Sequence, residues 1–138
     1  MDAERPFSGF KEVPHKADIA LDVFAPNLPE MFINAAMGLY HILGIRKGTT
    51  DLEEIHITLD DIDREGLLVV FLTELLYRVE EGRVVNQFSL TIHENHLEAD
   101  LKVVPVLSRQ REVKAVTYHE LKINKENGSY HTRLVFDL

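Results

Sequence analysis

The apolar residues of this chain change period along its length, and the order of those changes limits what it can fold into. In NLPEMFINAAMGLYHILG, Leu28, Met31, Phe32, Ala35, Ala36, Leu39, Ile42 and Leu43 recur at the spacing of one helix face. Asn27 stands as N-cap with Glu30 three residues on, Pro29 falls in the tolerant first turn, and Gly44 stops the segment. In IDREGLLVVFLTELLYRVEEG the run from Leu67 to Leu76 is apolar nearly all round, so this second helix is expected to be covered on more than one side. Asp60 or Asp61 reads as its cap and Gly82 as its end.

The other patterned segments have period two. ADIALDVFA sets Ala17, Ile19, Leu21 and Val23 against Asp18, Ala20 and Asp22, a strand with both aspartates on one face. EEIHITL turns Ile55, Ile57 and Leu59 inward, and further strands are expected around 84–93, 97–104, 114–124 and 129–137. Glu94-Asn95 and Asn127-Gly128 read as turns, the second carrying the stronger hairpin signal. Strand, helix, strand, helix and four strands predict an α+β fold in two layers, with two helices packed on a mainly antiparallel (mixed) β-sheet. With no repeats, linkers or low-complexity tracts, residues 1–138 are expected to form a single domain. Residues 1–12 carry no period and read as an irregular N-terminal arm. PVLSRQREVK is the one long irregular stretch, and it brings Arg109, Arg111 and Lys114 into an otherwise acidic chain.

Composition excludes several classes of function. A chain of 138 residues removes roughly 68–70% of its unfolded surface from water and needs no staples. The absence of cysteine excludes disulfides, zinc-thiolate sites and iron–sulfur clusters. No apolar run reaches the roughly 18 residues of a membrane span, and MDAERPFSGF lacks the order of a signal peptide, so a cytoplasmic protein without membrane contact is expected. With 23 Asp and Glu against 15 Lys and Arg, the formal net charge is −8. Such a surface does not neutralise a phosphate backbone, so any contact with RNA is expected to be indirect.

The candidates for chemistry are mostly acids. Asp18 and Asp22 lie four residues apart on one strand face, and Asp137 is the penultimate residue of YHTRLVFDL, whose alternation runs to the last residue. Hard cations such as Ca²⁺ or Mg²⁺ take several oxygens, which two aspartates and a terminal carboxylate or backbone carbonyl would supply if the strand ends met. Solvated acids on a strand face are the bland alternative. Glu74 falls inside FLTELLY, where an unpaired carboxylate needs a cation, a donor or an exit to solvent. The seven histidines, His15, His41, His56, His93, His96, His119 and His131, form no H-x-H or H-E-x-x-H pattern. His119 could orient an acid or serve as a hydrogen-bonded structural residue, and Lys114 with Arg109 and Arg111 could meet a phosphate or an acidic partner, or keep a loop soluble. No nucleophile elbow or glycine-rich phosphate loop is present.

PHKADIALDVFA, LPEMFINAAMGLYHIL, LLVVFLTELLYRVE, VKAVTYHEL and the ending RLVFDL resemble, in the same order, the motifs of the archease family. The resemblance runs from about residue 12 to the last residue. It implies a small α+β protein that is not itself an enzyme but an activator of RtcB, the RNA ligase of tRNA splicing and RNA repair, promoting guanylylation of the ligase's active-site histidine and its multiple turnover. An older reading of the family is a chaperone-like modulator of a tRNA methyltransferase. The resemblance also implies a divalent metal site of Asp18, Asp137 and Leu138, the last through a backbone or terminal oxygen, with Ca²⁺ as the first expectation and Mg²⁺ or Mn²⁺ as alternatives. Glu74 matches the acid of the family's second-helix motif, Lys114 and His119 match its KA-x-TYH motif, and His15 belongs to the first. Lys16 departs from the family's threonine and could compete with the cation for Asp18. Two roles are open: the acidic end delivers or orders a metal near the ligase's nucleotide pocket, or the protein selects one ligase conformation. A reading of another class is a metal-dependent hydrolase of phosphate esters using Asp18, Asp137 and Glu74.

Overall fold

The computed structural model describes residues 8–14, 18–50, 53–118 and 120–138. Its helices are α1, Leu28–Leu43, and α2, Arg64–Glu80. The strands are β1, Gly9–Pro14; β2, Ile19–Ala25; β3, Arg46–Lys47; β4, Glu53–Asp60; β5, Arg83–His93; β6, His96–Ser108; β7, Ala115–Thr117; β8, Ile123–Glu126; and β9, Ser129–Asp137. This is the α+β architecture the periodicity predicts, with every strand pairing antiparallel among the described residues.

The strands fall in two sheets rather than one. Each is built on a long strand with neighbours on both edges. In the first, β9 pairs with β2 along one edge and with β7 and β8 in series along the other, while β1 extends the sheet beyond β2. In the second, β6 pairs with β5 and β4, and β3 joins near its C-terminal end. Helix α1 packs on β1 and β2 and reaches β5, and α2 packs on β4, β5, β6 and β7. Phe32, Phe71 and Phe88 bind the layers together, with ring centroids 5.8 Å apart between the helices and 6.4 Å between α2 and β5. Both helices and both sheets contribute to one buried cluster.

Local signals account for α1 in detail. The Asn27 side chain accepts from the Glu30 N–H at 2.9 Å, and the whole expected stripe from Leu28 to Leu43 is buried. Gly44 closes the helix at φ +64°, and a side chain there would meet the Gln110 side chain. Tyr40, at 6% exposure, accepts a hydrogen bond on its hydroxyl from the Val85 N–H at 3.1 Å. That amide lies where β5 slips register against β6 between Val85 and Gln87, so the tyrosine serves a bulge.

Four expectations are corrected. Helix α2 starts later: Asp63, not Asp60 or Asp61, accepts from the Gly66 N–H at 2.7 Å, because Asp60 is still paired in β4. Residues 9–12 are not an irregular arm but belong to β1, an edge strand whose one neighbour among the described residues is β2; with Lys11 and Glu12 both exposed, its period is hidden. The stretch 114–124 is two strands, β7 and β8, separated by a loop in which Glu120 takes φ +60°. Strand β6 runs on to Ser108, so the irregular stretch begins only at Arg109. The Asn127-Gly128 hairpin is as predicted, with positive φ at both turn residues.

Candidate functional site

The candidate acids come together through strand register. Ile19 pairs with Phe136, so one further step along the ladder sets Asp18 opposite Asp137. On its other side Asp137 pairs with Ala115, and its carbonyl accepts the Lys114 main-chain N–H at 2.7 Å. Thus Asp18, Lys114, Asp137 and Leu138 converge on one end of the first sheet, where Asp137 and Leu138 are both exposed. Two aspartates facing across adjacent strands repel unless a cation stands near them. Their oxygens and a main-chain oxygen of Leu138 are all hard donors, the kind that Ca²⁺ and Mg²⁺ take. Among the described residues, no three His, Cys, Asp or Glu side chains form a metal-binding group, so a cation here would need main-chain oxygen to complete its shell.

Asp22 is on the same ladder but not in that group. It pairs in register with Arg133, whose Nε and Nη2 donate to its two carboxylate oxygens at 2.7 and 3.0 Å. This fork, aided by His131 at 3.9 Å, holds the Asp22 carboxyl below the usual carboxylate range against the opposing effect of burial. The next pair on the same face, Phe24 and His131, is stacked at 4.6 Å. Glu74 finds its cation one turn on: Arg78 Nε donates to it at 2.9 Å on the flank of α2. His15 and His119 lie outside the described residues.

The loop after β7 is tied to the start of α2. Tyr118 Oη donates to Asp63 Oδ2 at 2.7 Å, and the Ile123 N–H donates to Glu65 at 3.0 Å. The Gly66 N–H and then the Tyr118 hydroxyl lower the Asp63 carboxyl, and the Asp63 hydrogen bond pushes the Tyr118 phenol up to about 12. Neither tether was visible in the sequence, since the partners lie 55 and 58 residues apart. Arg133 was also missed; its signal was its place in the alternation of β9, whose neighbour β2 carries Asp22.

A cleft of about 460 Å³ adjoins this end of the sheet, lined by Thr73, Leu76, Tyr77 and Glu80 of α2 and by residues 112–116. Arg109 links the two acids of its lining, bonded to Glu80 at 2.7 and 3.2 Å and to Glu112 at 3.3 Å.

The model of the archease protein family matches residues 10–138. Curated archeases similar to this chain include that of Methanosarcina barkeri, 29% identical over 142 residues, covering 94% of this chain and 95% of the relative. That of Saccharolobus islandicus is 30% identical over 136 residues, covering 94% and 98%. Two solved structures share the fold. One is an archease from Thermotoga maritima described as a possible chaperone, with TM-score 0.71, 23% identity and coverage of 93% of this chain and 96% of its own. The other is a Methanobacterium thermoautotrophicum protein, with TM-score 0.71, 24% identity and coverage of 96% and 100%.

Proposed function

Because this chain belongs to the archease family, we propose that it is the accessory protein of an RtcB-type RNA ligase in tRNA splicing and RNA repair, acting in the cytoplasm. It promotes guanylylation of the ligase's active-site histidine and lets the ligase turn over repeatedly. The observation that supports this reading most is the register that sets Asp18 opposite Asp137 one residue before Leu138. These three residues would hold a divalent cation, Ca²⁺ first among Mg²⁺ and Mn²⁺, which when bound supplies the positive charge that lets an acidic tip approach a nucleotide's phosphates.

The chain's own part is binding. Asp18 and Asp137 present carboxylates at the tip, the Lys114 N–H fixes the strand end that carries Asp137, and Arg133 keeps Asp22 out of the set. Tighter binding to the guanylylation-competent ligase raises the ratio of that state to the other tenfold for each roughly 1.4 kcal/mol of difference between states. RNA contact is left to the ligase, in keeping with a net charge of −8. No helix of the described residues is long and apolar enough to cross a membrane.

The test is multiple-turnover ligation by the cognate ligase with GTP and Mn²⁺, comparing no addition, this protein, and Asp137→Ala. Turnover should rise with the protein and not with the variant; no response to either sinks the reading. The description of the Thermotoga maritima relative as a possible chaperone favours a second reading, a chaperone-like modulator of a tRNA methyltransferase. Protection of that enzyme from aggregation, equally well by Asp137→Ala, would select it.

A further inference from the structure

We propose that Asp60, His96, Glu98, His56 and Asp100 form a two-proton switch on the face of the second sheet that turns away from the helices. Charged imidazoles close it as a clasp between the edge strand β4 and its neighbour β6, and their deprotonation releases it. The pattern of the two strands carries the argument. HITLD, residues 56–60, and HLEAD, residues 96–100, both place a histidine four positions before an aspartate. Because β4 and β6 run antiparallel, with His56 paired to Asp100 and Asp60 to His96, each histidine stands opposite the other segment's aspartate. Glu98 lies midway, opposite Thr58. These residues alternate with the buried Ile57, Leu97 and Ala99, so they share the outer face.

The contacts run in an unbroken line. Asp60 Oδ1 meets His96 Nδ1 at 2.7 Å, His96 Nε2 meets Glu98 Oε2 at 3.3 Å, Glu98 Oε1 meets His56 Nε2 at 3.4 Å, and His56 Nδ1 meets Asp100 Oδ1 at 2.9 Å. All four ring nitrogens therefore face a carboxylate oxygen, which only accepts. A neutral imidazole carries one N–H and an imidazolium two, so four donors exist only when both rings are charged. Loss of both protons sets a nitrogen lone pair against a carboxylate in two of the four contacts, and leaves three carboxylates with no cation in the line. Among the described residues no three such side chains form a metal-binding group; the ligand this line takes is the proton. On β5, Ser89 and Thr91 stand opposite Asp100 and Glu98, and His93 opposite His96. Glu54 and Lys102 face each other one pair beyond His56 and Asp100, and Glu94 lies 3.5 Å from His93 beyond the other end. Asp100 first and then Glu98 hold the His56 imidazole above its ordinary range, and Asp60 first and then Glu98 do so for His96. With both values raised on folding, the clasp is closed below about pH 6.5 and opens as pH rises through the folded values. What opens is the second half of β4, which among the described residues pairs with β6 alone.

The test follows the imidazole resonances and the amide protection factors of the full chain by NMR from about pH 5 to pH 9, the range that brackets histidine titration. Glu98→Gln should lower the titration midpoints of His56 and His96 together, because one carboxylate faces both rings. His56→Gln should raise that of His96, which then keeps Glu98 to itself and loses a like charge beside it. His41, on α1, is the control and should respond to neither change. Protection of the amides of residues 56–60 should fall roughly two- to fivefold across the range, the size expected of exposed ion pairs. In the double variant His56→Gln, His96→Gln it should stay level. The proposal is overturned if Glu98→Gln moves one histidine and not the other, if His96 ignores His56→Gln, or if protection of β4 depends on pH as strongly in the double variant as in the unaltered chain.

Discussion

Tyr40→Phe removes one oxygen from the interior and leaves the ring in place. The hydroxyl accepts from the Val85 N–H at 3.1 Å, with Tyr40 at 6% and Val85 at 1% exposure. The amide cannot turn to a sheet neighbour, because it sits at the register slip of β5 against β6. The variant therefore opens almost no cavity but orphans a buried donor, which costs about 1–3 kcal/mol. With a urea slope of about 2 kcal/mol per molar, the unfolding midpoint should fall by roughly 0.5–1.5 M at constant slope. Amide exchange at Val85 should accelerate more than that of its neighbours. Tyr77→Phe, which deletes a hydroxyl from a side chain 59% exposed, is the control and should leave the midpoint in place. An unchanged midpoint and unchanged Val85 exchange in Tyr40→Phe would show that the bulge satisfies its amide some other way. The same burial holds the Tyr40 phenol well above its ordinary pKa, so in absorbance titration it should ionise only as the protein unfolds. Stability tied to it is intact below pH 10 and declines as the unfolded chain begins to ionise above that.

Asp22→Asn should cost about 1 kcal/mol at neutral pH by breaking the fork to Arg133. Since the Asp22 carboxyl is lowered on folding, its contribution is full above about pH 4 and lost as pH falls through the folded value, so the two proteins should converge in acid unfolding. His56 is raised by Asp100, then by Glu98, and His96 by Asp60, then by Glu98. Imidazole NMR titration should place both above 6.5, and Asp100→Asn should bring His56 down. Their contribution to stability is complete below about pH 6.5 and lost as pH rises through the folded values; a His56 titrating at or below 6.5 would contradict the pairing. Gly44→Ala should cost about 1–2 kcal/mol, as read by thermal melting, because φ is +64° and the new Cβ meets the Gln110 side chain at 2.8 Å.

Legibility in the sequence followed the range of the interaction. Helix α1 was readable to the residue because its cap, stripe and stop all lie within 18 consecutive positions, 27–44. The cap of α2 was not, because Asp60, Asp61 and Asp63 are chemically equal as caps, and only the pairing of Asp60 with His96 removes the first from contention. The break between β7 and β8 was hidden because Val116, Leu121 and Ile123 imitate a continuing strand, while the positive φ of Glu120 leaves no mark in its side chain. At the site, alternation placed Asp18, Asp22 and Asp137 on strands. It could not say which acid Arg133 would claim 111 residues away. The cleft had no signature at all, since a groove exists only once α2 and β7 are docked.

Strand β9 is both the middle of its sheet and the last strand in chain order. During synthesis β1 and β2 emerge early and then wait for roughly a hundred further residues before their central partner exists, about 5–20 s at ordinary rates of translation. Over that interval the edge of β2 that will receive β9 is open to any other strand. The sheet therefore closes late and over a long loop, a slow class of folding step. Asp18 is made 119 residues before Asp137, so the two acids face each other only once that closure is complete.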